Sequence, residues 1–147
     1  LALDGIRDPG NMGTILRMAD WFGIDAVFAS PDSVEAFNPK VIQASMGSVL
    51  RRQPFAADIL QLCKDFKAKG LQVYGTFLGG ENIYTAELPA QGLVVMGNEA
   101  HGISPGAAAQ VDVRLTIPSF AKGPAAESLN VAVATALVIS EFKRRTL

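Results

Sequence analysis

Short apolar runs that stop at glycine, asparagine or proline alternate along this chain with segments of helical period. Together the two patterns predict an α/β domain with a mostly parallel sheet flanked by helices. A length of 147 residues fits one domain spanning 1–147, and an apolar content of 49% excludes a disordered chain. Leu93–Met96 settles the sheet type. It is a continuous apolar run without alternation, as expected of a central parallel strand covered on both faces.

Leu1–Gly5 is the first expected strand, ending at Asp4-Gly5. Asp8-Pro9-Gly10 is a turn sequence, and Asn11 is expected to cap the helix that follows. Met12, Ile15, Leu16 and Ala19 repeat at core-facing helical spacing. Arg17 lies about 100–140° off that stripe, beside Asp20 and Trp21, so the core does not require it. An i,i+3 pair with Asp20 would account for it as a solvated helix residue. Gly23 ends the helix. Ala26–Ala29 reads as strand and Ser30–Phe37 as loop. Asn38-Pro39 opens a helix to about Ser45, where Ser45-Met46-Gly47-Ser48 interrupts it. Arg51-Arg52 is a small basic cluster, either solvated or a phosphate contact, ahead of a strand near Gln53–Phe55.

Asp58–Lys69 is amphipathic, with Ile59, Leu62, Cys63 and Phe66 on one face and Gly70 as its stop. That spacing makes Cys63 a core thiol. Leu71–Phe77 reads as a strand ended by Gly79-Gly80, and Glu81–Ala90 as a polar loop. Gly97-Asn98-Glu99 directly follows the central strand, where open α/β sheets place their ligands. Ser104-Pro105 opens a short Ala-rich helix, and Val111–Ile117 is the last strand. Ser128 or an immediate neighbour caps the final helix. That helix is apolar nearly all round from Leu129 to Ile139, so it must be buried, in part against a second subunit. Glu141 and Arg145 form an i,i+4 pair near its end.

Several chemistries are excluded or disfavoured. Cys63 is the only cysteine and His101 the only histidine, which rules out an internal disulfide and disfavours a Ser–His–Asp triad or a metal centre. No G-x-G-x-x-G follows the first strand, and neither a P-loop nor a G-x-S-x-G elbow is present. A net charge of −1 is not the footprint of a stand-alone nucleic-acid binder. No apolar run is long enough for a bilayer-spanning helix, no charged-then-apolar leader opens the chain, and cytoplasmic residence is the expectation. The chain opens on Leu1-Ala2-Leu3, as if cut at a domain boundary. Asn11, Arg17, Asn98, Glu99, Ser128 and Asn130 remain near strand ends. This set suits hydrogen-bonded positioning of a polar, partly anionic substrate.

Three stretches carry a resemblance. Asp8-Pro-Gly-Asn-Met-Gly precedes Ile15-Leu-Arg17; Val95-Met-Gly-Asn-Glu99 is followed by Gly102; and Ile117-Pro118 is followed by Ser128-Leu-Asn-Val131. In this order, over essentially the whole chain, they resemble the SpoU (TrmH-like) class of RNA ribose 2′-O-methyltransferases, within the SPOUT superfamily. The resemblance implies a parallel sheet whose C-terminal segment is threaded into a trefoil knot. It implies S-adenosylmethionine as cofactor, ribosomal or transfer RNA as substrate, a homodimer, and an RNA-binding domain ahead of this one.

By the same resemblance, Thr76, Phe77, Leu78, Gly97, Ile117, Ser128 and Leu129 would line the cofactor pocket, mostly through backbone groups. Arg17 would lead the chemistry, with Asn11, Glu99, Ser128 and Asn130 orienting it, the ribose and the loops. Arg17 has two readings, as base or as phosphate clamp. A guanidinium holds its proton far above neutral pH and resists deprotonation, which favours the clamp. Ser119–Glu127, SFAKGPAAE, is a longer loop than relatives carry at this place, and it is expected to be mobile without ligand. Two rivals remain at this stage: methylation of a base on the same knotted fold, and a non-catalytic RNA- or protein-binding module.

Overall fold

β1 (Ala2–Asp4) is wholly buried and runs through the middle of the sheet. In the computed structural model, which describes residues 1–124 and 126–147, β1 pairs with β2 (Phe28–Ala29) on one side and β5 (Leu93–Gly97) on the other. β3 (Phe55–Ala56) lies beyond β2, while β4 (Val73–Asn82) and β6 (Val113–Thr116) lie beyond β5. The order is β3-β2-β1-β5-β4-β6, and every pair of these strands is parallel. The unbroken apolar run of β5 follows from its interior place: Leu93 and Val95 face one side of the sheet, Val94 and Met96 the other.

Helices cover both faces. α1 (Pro9–Trp21), α2 (Pro39–Ser45) and α5 (Val131–Arg144) pack with Leu3, Tyr74, Met96 and Leu115 into the larger core. α3 (Ile59–Ala68) and α4 (Pro105–Ala108) pack with Ala2, Val73, Leu93 and Val95 into the smaller one. α1 and α2 approach closely at Gly13, where a Cβ would stand 2.6 Å from both the Ala44 methyl and the Val41 carbonyl oxygen.

The caps correct two expectations. Asp8, not Asn11, caps α1: its carboxylate accepts from the Asn11 backbone N–H at 2.8 Å, with Pro9 in the first turn. Asn130, not Ser128, caps α5, accepting from the N–H groups of Ala132 and Val133 at 2.9 and 3.2 Å. Asn38 and Asp58 cap α2 and α3 as expected.

β4 departs further from the expected strand. Gly79-Gly80 does not end it. Thr76 and Glu81 both register on Leu115, so Phe77–Gly80 swing out of the ladder and the strand then resumes. Gly80 permits the return, because a Cβ there would collide with the Arg114 carbonyl. The segment after it is not simply a polar loop: Glu81 and Asn82 pair with β6, and Ile83, Ala86 and Leu88 are buried. α5 is likewise not covered all round, since Val133 and Leu137 stay 51% and 38% exposed. Glu141 accepts from both Arg144 and the expected Arg145.

Candidate active site

The carboxyl ends of β4, β5 and β6 release three segments that face one another: the Phe77–Gly80 excursion, the turn after Gly97, and the chain from Ile117 to Leu129. They bound an open cleft of about 980 Å³. Thr76, Phe77, Leu78, Gly97, Ile117, Ser128 and Leu129 all line it. Gly97 is required there, because a Cβ would collide with the backbone of Gly102 and Ile103 as the turn folds back. Asn98 and Gly102 close that turn with mutual backbone hydrogen bonds of 3.0 and 2.8 Å. The Asn98 side chain donates to the Gly5 carbonyl at 2.7 Å and accepts from the Ala100 N–H at 2.8 Å. It thereby ties the end of β1 to the turn bearing Glu99.

Freed from capping, the Asn11 side chain joins the three motif stretches. Its amide N–H donates to Glu99 Oε1, and its oxygen accepts from the Asn130 amide at 3.0 Å. Glu99 also lines the cleft. Asn130 uses its two amide ends separately, the oxygen for the cap of α5 and the nitrogen for Asn11. Partners 88 and 119 residues apart thus form one hydrogen-bonded chain.

Arg17 is not part of that chain. It is exposed, does not line the cleft, and makes no side-chain hydrogen bond or ion pair among the described residues. It sits six residues beyond Asn11, about 9 Å along the helix axis. The expected pair with Asp20 is also absent: Arg51 takes that carboxylate at 2.8 and 2.6 Å, holding its pKa below the usual range. Arg114 is a lining residue that the sequence reading missed. Its guanidinium lies 3.5 Å from the centre of the Phe77 ring. The available signal was alternation, since Val113 and Leu115 turn inward and leave Arg114 outward.

Cys63 is buried under the sheet, where desolvation and then the nearby Asp4 carboxylate push its thiol up to about 11. It is a core group and not a nucleophile at neutral pH. Among the described residues no three His, Cys, Asp or Glu side chains gather as a metal site requires.

The family model of the SpoU rRNA methylases matches residues 1–140. The chain belongs to the SpoU rRNA methylase family. This SpoU chain is 35% identical over 145 residues to the 23S rRNA (guanosine(2553)-2′-O)-methyltransferase RlmP of Bacillus subtilis, covering 97% of itself and 57% of that protein. It is 34% identical to the 23S rRNA (guanosine-2′-O-)-methyltransferase RlmB of Neisseria meningitidis, covering 99% and 58%. A TrmH-family RNA methyltransferase structure from Porphyromonas gingivalis superposes with a TM-score of 0.89 at 49% identity, over 98% of this chain and 58% of that one. An AdoMet-bound rRNA methyltransferase from Sinorhizobium meliloti gives 0.88 at 32% identity, over 99% and 56%. The SpoU chain thus spans somewhat more than half the length of these relatives.

Proposed function

We propose that this SpoU domain transfers a methyl group from S-adenosylmethionine to a ribose 2′-hydroxyl of ribosomal or transfer RNA. The observation that carries this reading is the convergence of three distant segments on one cleft, which the Glu99–Asn11–Asn130 hydrogen-bonded chain meets at Glu99.

The cleft fits such a cofactor. Its walls combine apolar side chains such as Phe77, Leu78, Ile117 and Leu129 with polar ones such as Thr76, Glu99 and Arg114, and Gly97 leaves room for the chain to approach. When bound, the sulfonium cofactor supplies an activated methyl group. The protein then has to place a hydroxyl and manage its proton. Glu99 is held by Asn11 through one carboxylate oxygen, which leaves the other to orient or relieve the ribose hydroxyl. Asn130 fixes the Asn11 amide so that its N–H points at Glu99. Ser128, exposed on the cleft wall, is free to hydrogen-bond the cofactor or the ribose. The Arg17 guanidinium clamps the adjoining phosphate and offsets charge developing on the attacking oxygen.

The exposed apolar residues Leu129, Val133 and Leu137 support a homodimer through α5. In that dimer Arg17 of one copy serves the cleft of the other, which accounts for its place outside its own. Family membership supports a trefoil knot in the C-terminal segment, and likeness to bacterial 23S rRNA methyltransferases supports residence in the cytoplasm. Among the described residues no helix is long and apolar enough to cross a membrane.

Calorimetric titration with S-adenosylmethionine and transfer of labelled methyl to ribosomal and transfer RNA test the reading. Saturable binding and 2′-O-methylation mapped by mass spectrometry are expected, with Arg17→Ala lowering turnover by about 10²-fold at unchanged cofactor affinity. No binding at millimolar cofactor would remove the catalytic reading.

A further inference from the structure

The surface where α1 ends against the α2 corner has no role in the cleft. Trp21, the only tryptophan, is 85% exposed at the last position of α1. Met46 and Leu50, on the adjoining corner, are 71% and 74% exposed. Met46 is the one non-glycine residue with positive φ among the described residues, and this left-handed turn directs the chain away from α2 into the 3₁₀ turn Ser48–Leu50. The corner is held from beneath: Ser45 is fully buried, its hydroxyl donating to the Ile42 carbonyl.

Cations surround these apolar groups. Arg51 is clamped by Asp20 and by Ser48 Oγ at 3.3 Å, yet its side chain remains 63% exposed. Arg52 stands 3.8 Å from the same carboxylate. Arg17 lies one helical turn before Trp21 on the same side of α1. Two guanidiniums therefore share one carboxylate, with Arg17 a third cation on the same side of α1, in a chain whose overall charge is −1.

We propose that this face binds the single-stranded RNA flanking the methylated nucleotide, with a base stacked on Trp21 and phosphates paired to Arg51 and Arg52. The proposal rests on the methyltransferase reading, since it takes the strand held at Arg17 and continues it one turn along α1. Single-stranded RNA is the partner that matches an indole flanked by fixed guanidiniums, because every base offers a face to stack and every linkage a charge to pair. Met46 and Leu50 offer further apolar surface for the next base. A second copy of this chain is a poorer match, since a two-fold contact would set these cations against their own equivalents.

The lone tryptophan makes the test direct. The full chain is titrated with a single-stranded oligouridylate and an oligoadenylate, and with a duplex of equal length, while Trp21 fluorescence is followed. Saturable quenching by the single strands, weakening with salt, is expected, with little effect from the duplex. Trp21→Ala lowers affinity for the methylated RNA about 10-fold and Trp21→Phe restores most of it. Arg51→Gln lowers the slope of log affinity against log salt by about one. Leu50→Ala, at a largely exposed position, gives a milder loss and guards against a folding artefact. Unquenched Trp21 with bound RNA, or wild-type affinity in the variants, overturns the proposal. So does dissociation of a dimer by Trp21→Ala, which would assign the face to a second copy. Wild-type cofactor binding and methyl transfer, run alongside, separate the two claims. Normal transfer with inert patch variants sinks this surface alone, whereas quenching without any transfer sinks the methyltransferase reading and leaves the surface standing.

Discussion

Asn130 holds a helix with one end of its amide and a neighbouring side chain with the other. The two jobs can be separated. Asn130→Ala removes both, and is expected to lower stability by about 1 kcal/mol and methyl transfer by about 10²-fold. Asn130→Asp keeps the acceptor that caps α5 and loses the donor to Asn11. Thermal melts should recover with Asp while transfer stays low. Equal recovery of both would mean that the Asn130–Asn11 bond is unimportant for turnover. The sequence exposed these residues as a set but not which of them cap helices. Asp8 and Asn11 both qualify for α1, and Ser128 and Asn130 for α5, because each can accept from a free amide. Pro9 could have decided the first case: proline is at home in the first helical turn, which puts the cap on Asp8. Arg17 was legible as a residue the core does not need. Its true neighbours were not, since the Asp20–Arg51 pair spans 31 residues and no local spacing encodes it.

The last turns of α5 make a pH-dependent contribution. Glu141 accepts from Arg144 and then from Arg145, and these bonds lower its carboxyl from 4.5 to about 2. Because the folded value is depressed, the stabilisation is present above about pH 4.5 and is lost as pH falls toward 2. Glu141→Gln should therefore lower the melting temperature at pH 7 and flatten its decline through that window, as measured by circular dichroism. The loop from Ser119 to Glu127 flanks the cleft, and its residue Ala125 lies outside the described residues. Lys122 within it is exposed. Trypsin is expected to cut there without cofactor, and saturating S-adenosylmethionine should slow that cut several-fold. Cleavage at an unchanged rate would detach the loop from cofactor binding. Among the elements, periodicity and capping residues located α2, α3 and α4 closely. β4 runs past the strand-end signal of Gly79-Gly80, because its continuation depends on β6, more than 30 residues later, which no local pattern encodes.

Taken whole, the domain leaves an apolar stripe of α5 uncovered. Sedimentation should give a dimer, and Val133→Glu with Leu137→Glu should yield folded monomers. Those monomers should bind cofactor but transfer methyl at least about 10-fold more slowly, since Arg17 would lack a partner's cleft. A wild-type monomer with full activity would send Arg17 back to its own cleft. The α/β class and the parallel sheet could be read from the chain, above all from Leu93–Met96. The strand order could not, because hydrophobic period says which face a strand buries and nothing about which strand lies beside it.

Phe77–Gly80 hang from β4 as a detour whose two ends meet the same residue of β6. Lengthening or reshaping this detour need not shift the pairing of Val73–Thr76 or of Glu81-Asn82. What holds this stretch of cleft wall to β6 is not the ladder but side-chain contacts: the Thr116 hydroxyl donates to the Leu78 carbonyl at 3.2 Å, and Arg114 lies over the Phe77 ring. Amides within the detour should exchange with solvent far faster than those on either side of it.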